Sequence, residues 1–108
     1  MRYFAVPFFR YGFYIFRKYT VETRVAVMSI IVECEETIKE LNDMLHLCRQ
    51  YIIGRMGIPY RERGINIISV AIDAPQDVIS ALSGRIGKLK GISIKIAYSN
   101  VKSDGKSV

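Results

Sequence analysis

The sequence predicts an α+β fold in which one antiparallel four-stranded sheet carries two helices on a single face. Two observations predict it. Four β-rich stretches and two amphipathic stretches follow one another in the order β-α-β-β-α-β, and each amphipathic stretch has one apolar stripe. The chain has 108 residues, of which 50% are hydrophobic and 24% charged, so it suits one compact domain and is too apolar for a disordered chain.

The first strand is predicted over residues 24–33, RVAVMSIIVE, because this stretch is β-branched, apolar on both faces and too short for a typical helix. A helix then opens at Glu35, Glu36 and Thr37, with acids in the first turn, where the helix dipole favours negative charge. Its apolar residues recur at spacings of three and four, which places them on one face. They are Ile38, Leu41, Leu45 and Cys48.

A hairpin is predicted after this helix. Residues 51–56 form a short second strand, and residues 57–64 form its turn, which is bracketed by glycines and stiffened by Pro59. The third strand spans residues 65–73, INIISVAID. The hairpin therefore combines a short strand, a long turn and a longer, apolar strand.

The second helix is predicted to begin at Ala74 and Pro75, since proline is tolerated in a first helical turn, and to end at one of two glycines, Gly87 or Gly91. Its apolar stripe consists of Ile79, Leu82, Ile86 and Leu89. The last strand, residues 92–98, alternates apolar and smaller or polar side chains. The complete order of elements is the ferredoxin-like βαββαβ arrangement.

Residues 1–20 differ in composition from the rest of the chain. They hold nine of the twelve aromatic residues, four basic residues and no acid. Pro7 and Arg10 interrupt the apolar run, which argues against a membrane span. We interpret residues 1–20 as an aromatic and basic extension, either translated from a misassigned start or disordered, with an interfacial anchor or docking strand as the alternative. The domain itself is predicted over residues 21–108.

The two central strands are predicted to be apolar also on the face that no helix covers. An exposed apolar face implies a partner, and the simplest partner is a second copy related by a two-fold axis. We therefore predict a homo-oligomer, a dimer or a dimer of dimers, packed sheet on sheet or continued edge to edge. The alternative is that residues 1–20 fold over this face. The predicted interface residues are Val27, Ile31, Ile67 and Ala71.

Catalysis, metal binding and a cofactor are not expected. The single histidine, His46, lies two residues from Cys48, so their side chains project about 200° apart on a helix. The two side chains therefore do not coordinate the same metal ion. Cys34 and Cys48 fit buried cysteines that behave as small hydrophobes. The chain has no pattern typical of an exported protein, and we expect a cytoplasmic location.

Residues 54–64, GRMGIPYRERG, are the most unusual stretch of the chain. Glycines allow a ligand to approach the backbone, arginines offer planar donors to a carboxylate or phosphate, and tyrosine supplies an amphipathic wall. We predict contact with a small effector or protein partner through Gly54, Arg55, Gly57, Tyr60, Arg61 and Arg63. One alternative is an edge hairpin whose charges block unwanted strand pairing. Another is nucleic-acid binding by the same arginines.

Residues 24–98 resemble the iron-only hydrogenase system regulator family. The resemblance rests on residues 53–69, IGRMGIPYRERGINIIS, and on residues 82–89, LSGRIGKL. It implies a ferredoxin-like domain related in shape to ACT domains and to the C-terminal domain of nickel-responsive regulators. It also implies a regulatory or accessory role in organisms that make iron-only hydrogenase, with transcriptional regulation through nucleic-acid binding as the alternative. Nickel binding is not carried over, because the histidine and cysteine ligands of such a site are missing.

Overall fold

The computed structural model describes residues 3–6, 15–20 and 22–101, and the predicted order of elements is present in it. The strands and helices are β1 (Tyr3–Val6), β2 (Ile15–Thr20), β3 (Arg24–Val32), α1 (Ile38–Leu47), β4 (Ile52–Tyr60), β5 (Ile65–Ala74), α2 (Gln76–Gly87) and β6 (Ile92–Tyr98). Single turns of 3-10 helix at Glu35–Thr37 and Arg49–Tyr51 flank α1. Among the described residues, no helix combines the length and apolarity that a membrane crossing requires.

Strands β4, β5, β3 and β6 form one antiparallel sheet in that order, which confirms the ferredoxin-like prediction. The longest ladder joins the central strands β3 and β5, from the pair Arg24 and Ala74 to the pair Val32 and Asn66. β4 and β6 are the edges of the sheet. Among the described residues, β1 and β2 pair with each other and form a separate two-stranded sheet. The division of the chain at residue 21 stays a prediction.

The core lies between one face of the sheet and the two helices. Alternate residues of β3 and β5 point into it, because side chains on a strand alternate between faces. These are Ala26, Met28, Ile30 and Val32 on β3 and Ile68, Val70, Ile72 and Ala74 on β5. The helices contribute Leu41, Leu45, Ile79, Leu82 and Ile86, all buried, so the two predicted stripes are confirmed.

The second strand is longer than the sequence suggests. It runs through Gly57 and Pro59 to Tyr60, and the turn holds only residues 61–64. The prediction that residues 57–64 form the turn is therefore wrong. An edge strand has one side without a sheet partner, so it accepts a proline and glycines that would interrupt a central strand. Gly64, with φ of 66°, closes the turn, and its N–H donates to the Arg61 carbonyl at 3.1 Å.

The second helix ends at Gly87, so of its two predicted ends Gly87 is confirmed and Gly91 is wrong. Gly91 instead lies where the connection into β6 meets the connection that follows β3. The N–H of Glu33 donates to the Gly91 carbonyl at 2.7 Å. Nearby, the hydroxyl of the buried Thr37 donates to the Lys90 carbonyl at 2.8 Å. These two hydrogen bonds join the connection between β3 and α1 to the connection between α2 and β6.

Candidate functional site

The face of the sheet opposite the helices is exposed and largely apolar, and we call it the open face. The predicted interface residues of β3 and β5 lie on it, because they alternate with the buried core positions. Val27, Ile31 and Ile67 keep between 38% and 41% of their surface exposed, and Ala71 is half-buried. The structure brings the four together, since Val27 is paired with Ala71 and Ile31 with Ile67.

The edge strand β4 extends this apolar surface. Met56, Ile58 and Tyr60 are paired with Ser69, Ile67 and Ile65, so they share the open face, and they are 42% to 60% exposed. Sequence reasoning missed Met56 and Ile58, because it ended the strand at Met56 and assigned Ile58 to a turn. The alternation of apolar residues at positions 56, 58 and 60 was the signal that could have found them.

The six residues predicted to contact an effector or partner are not gathered in one place. Gly54 and Tyr60 lie on the open face, whereas Arg55 and Gly57 lie at register positions opposite the buried Val70 and Ile68, on the face that carries the helices. Arg61 and Arg63 belong to the exposed turn at residues 61–64. Nucleic-acid binding through these arginines stays a prediction.

Steric crowding does not require glycine at Gly54 or Gly57 of β4. A Cβ added at Gly54 would meet no atom within 4 Å, and one added at Gly57 would meet only the Ile68 side chain, at 4.0 Å. Both positions are exposed and leave the strand backbone accessible. The structure is thus compatible with the close backbone approach that the sequence predicts for these two glycines.

A cleft of about 520 Å³ lies on the helix side of the sheet, between α1 and the start of β4. Arg55 reaches it from β4, and its Nη2 donates to Oδ1 of Asn42 on α1 at 2.9 Å. Arg49 reaches it from the turn after α1, and its Nη1 donates to the His46 carbonyl at 3.0 Å. Arg55, a predicted contact residue, therefore lines the same cleft as Arg49, which sequence reasoning did not select.

A polar cluster ties together the ends of β3, α2 and β6. The guanidinium of Arg24 lies 4.1 Å from the ring centroid of Tyr98, and its Nη1 donates to Oε1 of Gln76 at 2.8 Å. The Gln76 amide in turn donates to the Tyr98 hydroxyl and to Ser80 Oγ, each at 3.0 Å. A neighbouring cleft has a volume of about 430 Å³. The side chains of this cluster form these hydrogen bonds with one another, which is typical of a structural role.

Cys34 and Cys48 are both half-buried free thiols rather than fully buried ones. The side chain of Cys34 lies 3.7 Å from Oε1 of Glu36. In the described part of the chain, no three residues of the types His, Cys, Asp and Glu come together as a metal site would need.

Comparisons with known proteins place the chain in a family. The profile of the TM1266-like family, described as "Iron-only hydrogenase system regulator, putative", matches residues 24–96. The chain belongs to this family. The match covers β3 through most of β6 and contains both stretches on which the resemblance was based, residues 53–69 and 82–89. In this regulator family member, the first of those stretches is the β4–β5 hairpin and the second lies in α2 and its end.

Two solved structures are similar to this chain. The uncharacterized protein TM1266 from Thermotoga maritima shares 31% identity with a TM-score of 0.68, over 70% of this chain and 96% of that chain. A formyltetrahydrofolate deformylase from Pseudomonas putida KT2440 has a TM-score of 0.54 at 16% identity, over 71% of this chain and 29% of that chain. The second likeness shows a shared fold alone. No match was found among curated proteins.

Proposed function

We propose that this member of the iron-only hydrogenase system regulator family is a homo-oligomeric, ACT-like module that binds a small effector or a protein partner. The observation that carries the proposal is the open face, where three neighbouring strands expose aliphatic and aromatic side chains. Monomeric soluble proteins rarely expose contiguous apolar patches larger than a few hundred Å². The family description adds the regulatory role.

A second copy of the chain is the partner that suits this face best. On β3 and β5 its middle row has small side chains, Ser29 and Ser69, and Met56 of β4 continues that row. The neighbouring row contains Ala71 and Gly54. Small side chains beside larger ones let two sheets approach to the usual distance of about 10 Å and interdigitate. The polar residue Lys95 lies on the edge strand β6, beside Ser29, and so borders the apolar surface.

The oligomer is tested with a pair of substitutions on the open face, Ile31→Lys with Ile67→Glu. The two positions are directly paired on β3 and β5, so the new charges neutralise each other within one subunit while making the face polar. We expect native mass spectrometry to give an oligomer for the natural sequence and a folded monomer for the variant. Leu47→Lys, at an exposed position on α1, is the matched control and should leave the mass unchanged. A monomeric natural protein would contradict the proposal.

The regulatory role is tested in a host that makes iron-only hydrogenase. We expect deletion of the gene to change hydrogenase transcript level or activity, and the Ile31→Lys, Ile67→Glu variant to behave like the deletion. The Leu47→Lys control should complement it. Unchanged hydrogenase expression and activity in the deletion strain would refute the assignment to this system.

A further inference from the structure

We propose that the cleft between α1 and β4 binds a small organic anion, a molecule that joins an apolar body to a carboxylate or phosphate group. The cleft has a volume of about 520 Å³, which is in the range of small-molecule sites. The inference rests on the proposed function, because it gives the effector of that regulator a place and a chemical class.

The two arginines supply the donors for the anionic group. A guanidinium carries five N–H donors in a rigid plane. Among the described residues, Arg55 uses one of them on Asn42 and Arg49 uses one on the His46 carbonyl. Each hydrogen bond orients its guanidinium. The remaining N–H donors of the guanidinium are available to a carboxylate or phosphate, whose oxygens accept such hydrogen bonds in pairs.

The charge balance of the cleft favours an anion. One acidic side chain, Asp43, is among the described residues that line it. Its Oδ2 lies 3.3 Å from Nζ of Lys39, one turn earlier on α1, so part of its negative charge is offset. Against this single carboxylate, the cleft has two permanent positive charges from Arg49 and Arg55.

The apolar residues of the cleft are the reason why we expect the anion to carry an apolar group. Leu45 and Ile52 are the apolar residues that line the cleft, and because Leu45 is fully buried, the half-buried Ile52 supplies the accessible apolar surface. An apolar group laid against Ile52 removes that surface from water while the anionic group stays among the donors. The turn at residues 61–64 has two arginines as well but is exposed throughout.

The test compares inorganic phosphate with phenyl phosphate as probes for the full chain, by isothermal titration and by NMR chemical shifts. We expect phenyl phosphate to bind at least about tenfold more tightly than inorganic phosphate. Arg49→Gln with Arg55→Gln should weaken phenyl phosphate binding by about tenfold or more. The matched control, Arg85→Gln with Lys88→Gln, removes the same charge from exposed positions at the end of α2 and should leave binding unchanged.

Three results would overturn the inference. The first is that phenyl phosphate shows no measurable binding at millimolar concentration. The second is that the protein binds the two probes with equal affinity. The third is that the control variant loses as much affinity for phenyl phosphate as the Arg49→Gln, Arg55→Gln variant, or more. Dispersed NMR spectra show that each variant is folded. Arg55→Lys is a second variant, which keeps the positive charge but loses the paired N–H donors of the guanidinium. Native mass spectrometry on the same samples separates the two proposals, because a monomer that binds phenyl phosphate contradicts only the oligomer.

Discussion

Gly91 shows how one residue joins two connections of this fold. Its φ is 71°, a conformation that side chains of L-residues rarely adopt. A Cβ at this position would lie 2.6 Å from Cys34 Cβ and 3.0 Å from Cys34 N. Backbone conformation and close approach therefore both require glycine here.

We expect Gly91→Ala to lower the free energy of unfolding by about 2 kcal/mol or more, because it adds backbone strain and a steric overlap. Urea denaturation measures the change. Gly84→Ala is the matched control, since Gly84 lies inside α2 with open space around it. It should raise the free energy of unfolding by up to about 1 kcal/mol through helix propensity. Equal effects of the two substitutions would show that Gly91 is not constrained.

At the level of elements, α1 depends on the sheet for its stability. It has ten residues, and isolated helices of that length are marginal in water. Leu41 and Leu45 bury one side of it against the core, whereas Leu47 is exposed. The amphipathic stripe therefore contributes to stability only when the sheet is present.

We expect Leu41→Ala to reduce the free energy of unfolding by about 2–5 kcal/mol, because a fully buried leucine leaves a cavity. Leu47→Ala, on the same helix but 63% exposed, should change it by less than about 0.5 kcal/mol. Denaturant titrations of the two variants provide the comparison. A similar cost for both would mean that α1 does not pack as described.

At the level of the whole molecule, one face of the sheet is sealed by helices and the other is open. If a second copy covers the open face, association stabilises the folded state by mass action. The oligomer and its stability are then linked, and protein concentration becomes a variable of the unfolding transition.

We expect the thermal midpoint of the natural sequence to rise with protein concentration across the micromolar range. The Ile31→Lys, Ile67→Glu variant should have a midpoint independent of concentration, since its open face is polar. Differential scanning calorimetry at several concentrations checks both. A constant midpoint for the natural sequence would contradict association through this face.

Local patterns were sufficient for the order of the elements and for the faces that β3, β5, α1 and α2 bury. The period of two in β3 and β5 and the spacings of three and four in α1 and α2 follow directly from backbone geometry, so the core residues could be predicted correctly. The same periodicity predicted that Val27, Ile31 and Ile67 lie on the uncovered face. The family resemblance, carried by residues 53–69 and 82–89, is also a property of the sequence.

Features that depend on distant neighbours required the folded chain. Pro59 is compatible with a strand because β4 is an edge, and strand order is a long-range property. Gly91 is explained by Cys34, which is far away in sequence. Arg49 and Arg55 share a cleft because α1 packs across the sheet beside β4. Sequence periodicity records which side of an element avoids water, whereas tertiary packing decides which elements become neighbours.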